Sequence, residues 1–172
     1  MKGHTAYISV GSNIGNKLEN CKKGVDALIR SDPVTLKAQS PCYKTDPVDY
    51  LNQDWFINYV VKIETSLDPF KLLNRLKSIE KDAGRIRDAI PDEIRFGPRI
   101  LDLDIILFDD AVINSENLTI PHPRMHKRRF VLKPVCDIDP EIIHPVFKKN
   151  MKYLIDNLDD EKQGIVEYKC DY

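Results

Sequence analysis

Apolar side chains recur along this chain at two spacings, and the switches between them mark out elements. Thr5 to Val10 is a short apolar run and reads as a strand. Gly11 to Asn16 follows as a loop, rich in residues that tolerate positive φ. Leu18, Cys21, Val25, Leu28 and Ile29 then fall at helical spacing, and Pro33 closes that helix. Val34 to Thr45 reads as extended, interrupted at Pro41, and Trp55 to Thr65 as a second long strand. Asp68-Pro69 is a helix start, an acidic cap with proline at the first helical position. Phe70, Leu73, Leu76, Ile79 and Ala83 carry that helix to Gly84. Residues 85–99 show no period and read as a long loop. Ile100 to Phe108 is a strand, with two short strands at 112–113 and 118–120. Met125 to Val135 reads as a helix that Pro134 kinks or ends, and Lys152 to Leu158 as a short helix.

The first part of the chain therefore runs β-α-β-β-α-β. That order predicts an α+β fold of the ferredoxin-like kind, an antiparallel sheet with both helices on one face, followed by C-terminal additions. With 172 residues the chain is one domain by length, expected over residues 1–158, and residues 159–172 form a net acidic tail. A net charge of −1 speaks against a nucleic-acid coat and against a polybasic membrane binder. The four cysteines have no metal-finger spacing and fit free thiols in a reducing compartment. With no apolar stretch of membrane-spanning length and no signal-like N-terminus, the expected location is the cytoplasm.

The near-neutral charge conceals a concentration. Seven of the nine arginines lie between Arg85 and Arg129, among eight acidic residues. That mixture fits either a salt-bridged surface or a polyphosphate site in which carboxylates hold metal ions. In Leu101-Asp102-Leu103-Asp104-Ile105, alternation sends the three apolar residues to the core and both aspartates to the other face. Two such carboxylates suit Mg²⁺, which takes one or two carboxylates plus phosphate and water. Arg85, Arg87, Arg95 and Arg99 flank the loop running into this strand and fit a lid over a polyphosphate. His122, between two prolines, is held extended and could donate to a phosphate; a structural role is the commoner one for such a histidine. Phe56 and Asn58 share a strand face and could stack on and hydrogen-bond a flat heterocycle, or simply belong to the core and its edge.

Taken together these strings resemble the 6-hydroxymethyl-7,8-dihydropterin pyrophosphokinases. The resemblance is carried by Ala6 to Asn13, Tyr43-Lys44-Thr45, Phe56-Ile57-Asn58, Glu80 to Arg87, Arg95 to Ile105, Pro121-His122-Pro123 and Arg128 to Leu132. It is collinear over roughly residues 5 to 145. It implies transfer of pyrophosphate from ATP to the pterin's hydroxymethyl group, releasing AMP, in a monomeric enzyme. Two Mg²⁺ ions would sit on Asp102 and Asp104. Arg85, Arg99 and Asp104 would be catalytic, and Arg87, Arg99, His122 and Arg128 would contact ATP. The pterin would stack between Phe56 and Phe130, with Asn58 and the Thr45, Pro47 and Val48 segment reading its polar edge. Residues 88–94 make the arginine loop longer than in compact relatives, and Asn117 stands where some relatives have arginine. The rival classes are a ferredoxin-like nucleic-acid module, which needs aromatic and basic strand faces rather than two aspartates, and a non-catalytic small-molecule regulatory domain.

Overall fold

The computed structural model describes residues 3–30, 32–48, 51–84, 97–159 and 163–169. The elements run β1 (His4–Ser12), α1 (Lys17–Ile29), β2 (Val34–Gln39), β3 (Cys42–Thr45), β4 (Phe56–Thr65), α2 (Pro69–Asp82), β5 (Asp102–Phe108), β6 (Ile113–Asn114), β7 (Thr119–Ile120), α3 (Arg129–Ile138), α4 (Met151–Asp156) and β8 (Ile165–Tyr168). The main sheet is antiparallel at every pairing, in the order β5-β1-β4-β3-β8, with β2 also on β4. β6 and β7 form a separate two-stranded ribbon.

Local chemistry explains the boundaries. Asn16 caps α1 by accepting from the Glu19 N–H, and Asp68 caps α2 by accepting from Phe70 and Lys71. Gly84 ends the α2 segment with φ +99°, which a residue with a Cβ rarely adopts. Pro41 divides what would otherwise be one strand along β4. Ser40 bridges the break: its N–H donates to the Val60 carbonyl (3.0 Å) and its hydroxyl accepts from the Val60 N–H (3.0 Å).

Alternation along the strands builds two cores. Ala6, Ile8 and Val10 of β1, Ile57 to Ile63 on alternate positions of β4, and Leu103 and Ile105 of β5 pack with Val25 and Leu28 of α1 and Leu72 and Leu76 of α2. The predicted pair of helices therefore does share one face. The opposite face, with Tyr7, Val60, Ile106 and Leu107, is covered by Met125, Val131, Leu132, Val135 and Met151. The β1–β5 register slips between Tyr7 and Ile8, so Ile106 and Leu107 both turn to this second core. The sheet is thus a middle layer, and α3 shields only part of its second face.

Two expectations change. Met125 to Val135 is not one helix: a 3₁₀ turn over Met125–Lys127 is followed by an extended Arg128 and then α3, which continues through Pro134 to Ile138. The segment expected to be a tail carries β8, whose Ile165 to Tyr168 pair with Thr45 to Cys42. Among the described residues, no helix is long and apolar enough to cross a membrane.

Candidate active site

Where α3 leaves the sheet uncovered, a cleft open to solvent is lined by residues from every strand of the central sheet except β2 and β8. Strand register sets its floor. Gly11 lies opposite Asn58 on β4 and opposite Asp102 on β5, and Ser9 lies opposite Asp104. Directly opposed residues share a face, so small side chains in β1 leave room between the two aspartates and Asn58. A Cβ at Gly11 would come within 2.5 Å of Asn58 Oδ1. The alternation expected for β5 holds: Leu103 and Ile105 are buried, while Asp102 and Asp104 are half-buried and face the cleft.

One aspartate meets a fixed cation. Arg99 donates to Asp102 Oδ2 at 2.9 Å, an ion pair with both side chains about four-fifths sheltered. The arginine's own backbone is locked by Asn13. Asn13 Oδ1 accepts from the Arg99 N–H (2.7 Å), and the Asn13 N–H donates to the Arg99 carbonyl (3.0 Å). The Asn13 amide also donates to Gln53 Oε1 (2.9 Å) and the Asp54 carbonyl (3.2 Å). Asn13 is buried, and its role is to hold three loops together at the mouth. Glu80, fully buried on α2, accepts from the Leu103 N–H at 2.8 Å and so fixes the strand between the two aspartates.

The other end of the cleft is aromatic and apolar, lined by Pro47, Val48 and Phe56 at β3 and β4 and by Phe130 and Val131 of α3. There Asn58 donates from Nδ2 to Thr45 Oγ1 at 2.6 Å, which fixes its amide. Arg128 is extended rather than helical, which lets its guanidinium lie 5.4 Å over the Phe130 ring although the two residues are only two apart.

The structure thus gathers Thr45, Pro47, Val48, Phe56, Asn58, Arg99, Asp102, Asp104, Arg128 and Phe130 in one cleft. Arg85, Arg87 and Arg95 lie outside the described residues. His122 lines a neighbouring cavity instead, although its N–H donates to the Ile106 carbonyl of β5 (3.0 Å). Burial, then the charges of Arg128 and Arg124, push its ring down to about 4 against a pull upward from Asp102. Its Nδ1 accepts from the Arg124 N–H (3.1 Å), so the neutral ring carries its proton on Nε2. Sequence reasoning passed over Ser9, Asn13, Asp46 and Gln53. Asn13 stood in a string that looked like an ordinary turn, and only the fold brings Arg99 to it.

Comparison with known proteins follows the same lines. The family model for 7,8-dihydro-6-hydroxymethylpterin-pyrophosphokinase (HPPK) matches residues 7–140. The 2-amino-4-hydroxy-6-hydroxymethyldihydropteridine pyrophosphokinase of Bacillus subtilis is 44% identical over 137 residues, covering 80% of this chain and 79% of that protein. The Aquifex aeolicus protein of the same name is 35% identical over 148 residues, covering 86% and 88%. Folic acid synthesis protein fol1 of Schizosaccharomyces pombe is 40% identical over 167 residues, but the chain spans only 22% of its length. A crystal structure of Plasmodium falciparum HPPK-DHPS with pterin and p-hydroxybenzoate matches with a TM-score of 0.70 at 17% identity, over 91% of this chain and 42% of that one, a likeness of fold.

Proposed function

Because the chain belongs to the 7,8-dihydro-6-hydroxymethylpterin-pyrophosphokinase family, we propose that its cleft transfers pyrophosphate from ATP to the hydroxymethyl group of 6-hydroxymethyl-7,8-dihydropterin. The products are AMP and the pterin diphosphate, and the step belongs to folate synthesis. The observation that carries this reading is the joining, in one cleft, of Asp102, Asp104, Arg99 and Arg128 to the aromatic side chains Phe56 and Phe130. The strand order β5-β1-β4-β3 supports a ferredoxin-like description of the sheet, with α3, α4 and β8 as additions.

The residues fit Mg²⁺. Asp102 and Asp104 share a face of β5 opposite the small residues Gly11 and Ser9. Among the described residues no cluster of three or more histidine, cysteine, aspartate or glutamate side chains forms a closed metal cage. An open two-carboxylate site suits a cation that keeps water and substrate phosphates in its shell. When bound to Asp102 and Asp104, two such ions would neutralise triphosphate charge and make the pterin hydroxyl more acidic.

The chain's own groups supply positioning and charge. Arg99 and Arg128 reach the phosphates from opposite walls, and His122 offers a neutral N–H donor. Arg85 and Arg87, outside the described residues, add positive charge for the triphosphate. The pterin ring stacks between Phe56 and Phe130, while Asn58, Thr45 and the backbone at Pro47 and Val48 bind its polar edge. Attack by the hydroxymethyl oxygen on the β-phosphorus forms one P–O bond and breaks the bond to the α-phosphate oxygen. AMP leaves, and the hydroxyl proton passes to Asp104 or, from a hydroxyl made acidic by the cation, to water. The enzyme works as a monomer in the cytoplasm.

The test is to incubate the folded chain with ATP, Mg²⁺ and the pterin. AMP forms only when all three are present; folded protein that forms none overturns the reading.

A further inference from the structure

The C-terminal segment lies outside the family match, which ends at residue 140, yet it touches both walls of the cleft. Gln163 spans the residue on either side of Arg128. Its Nε2 donates to the Lys127 carbonyl at 2.7 Å, and its Oε1 accepts from the Arg129 N–H at 2.8 Å. The Arg129 N–H opens α3, and such first-turn donors have no partner within their own helix. Arg128, at the cap position, makes no side-chain cap. Gln163 therefore caps α3 from 34 residues away and holds both peptides that flank Arg128.

The next residue grips the opposite wall. The Gly164 carbonyl accepts from the Asp46 N–H at 3.2 Å. The approach is close: a Cβ there would lie 2.1 Å from Asp46 Oδ2, so a larger residue would make the Asp46 carboxylate turn aside. From Ile165 the chain runs on as β8, pairing Ile165 with Thr45. Asp46 and Thr45 line one side of the cleft, and Arg128 and Phe130 the other.

We propose that Gln163 is a positioning residue that, with Gly164, straps the Thr45–Val48 wall to the Arg128–Phe130 wall and so sets the width of the aromatic slot. It acts through Arg128 and Phe130 and touches no substrate. This rests on the pyrophosphokinase reading of the cleft. An unstrapped wall keeps its side chains but no longer presents Phe130 at the spacing that a flat ring needs on both faces, so binding energy goes into reordering it.

The experiment compares wild type, Gln163→Ala and Gln163→Glu in the full chain. Dissociation constants for the pterin are measured by calorimetry with a non-hydrolysable ATP analogue and Mg²⁺ present. Steady-state kinetics, melting temperature and hydrogen exchange at the Asp46 and Arg129 amides are measured alongside. Gln163→Ala loses both hydrogen bonds, and the pterin dissociation constant rises about tenfold, with faster exchange at Arg129. Gln163→Glu keeps the acceptor for the Arg129 N–H and recovers part of the affinity. Unchanged pterin affinity in Gln163→Ala, or a lower melting temperature with kcat/KM unchanged, overturns the strap. If wild type itself forms no AMP, the enzymatic reading fails, and the exchange rates still report whether Gln163 braces the wall.

Discussion

Gly11→Ala adds one methyl group to the floor of the cleft, and the structure says where it goes. A Cβ at position 11 would lie 2.5 Å from Asn58 Oδ1, while the next atoms, Asn58 Cγ and the Ile57 carbonyl, are both 3.6 Å away. Gly11 sits in regular β1 pairing and does not have positive φ, so alanine brings no backbone strain. The whole conflict is with one oxygen, which must retreat by about 0.9 Å to reach ordinary contact. That oxygen is not free to swing, because its own amide Nδ2 donates to Thr45 Oγ1 at 2.6 Å inside the fold. Moving the amide breaks or bends this bond, which costs about 1–3 kcal/mol when the groups are buried. It also withdraws the amide from the ligand. The expected result is a rise in pterin KM of roughly tenfold to thirtyfold, since about 1.4 kcal/mol is a factor of ten. The KM for ATP should change less than about twofold, because no phosphate contact moves. Melting should fall by roughly 2–12 °C. The assay is AMP formation with each substrate varied in turn, repeated in an Asn58→Ala background. There the added methyl meets nothing closer than 3.6 Å, and Gly11→Ala should be nearly silent. The same pterin KM loss with and without Asn58 would refute the reasoning.

Asp102→Asn and Asp104→Asn should each lower kcat by more than about a hundredfold while the melting temperature stays within a few degrees; near-wild-type turnover would remove the metal assignment. Glu80→Ala strands the Leu103 N–H that Glu80 accepts at 2.8 Å, so the denaturant midpoint should fall by an equivalent of about 1–3 kcal/mol, together with kcat; an unchanged midpoint would contradict its role. His144 is fully buried, and burial with the nearby charge of His126 lowers its ring from 6.5 to about 4. A base with a depressed folded pKa contributes stability that is present above about pH 6.5 and lost as pH falls toward 4, so melting temperature should be level from pH 8 to 6.5 and drop below it. His144→Gln should lessen that drop and leave the part that His122, also lowered to about 4, contributes; an identical acid slope would count against the assignment.

Much of the fold could be read from local pattern because local chemistry decided it. The cap at Asp68, the break at Pro41 and the alternation through Asp102 and Asp104 each depend on neighbours a few residues apart. The site was readable wherever its residues fell on one strand face, as Phe56 with Asn58 and Asp102 with Asp104 do. Alternation could not show what depends on pairing between distant strands. Gly11 looked like the start of a turn, and its place beneath Asn58 follows only from the β1–β4 register. Arg128 and Phe130 could not be put together by helical spacing, because the cap at Arg128 is extended. Gln163 gave no signal at all: it lay in a polar stretch expected to be a tail, and its partners are 34 and 36 residues away.

The proposed reaction turns on which phosphorus atom is attacked. Phosphorus NMR of a single turnover, with enzyme in excess over the pterin and with ATP and Mg²⁺ present, reads it directly. AMP and a pterin diphosphate, with two coupled phosphorus signals, should appear in equal amounts and at equal rates. ADP with a pterin monophosphate, or inorganic phosphate without any pterin ester, would contradict that reaction.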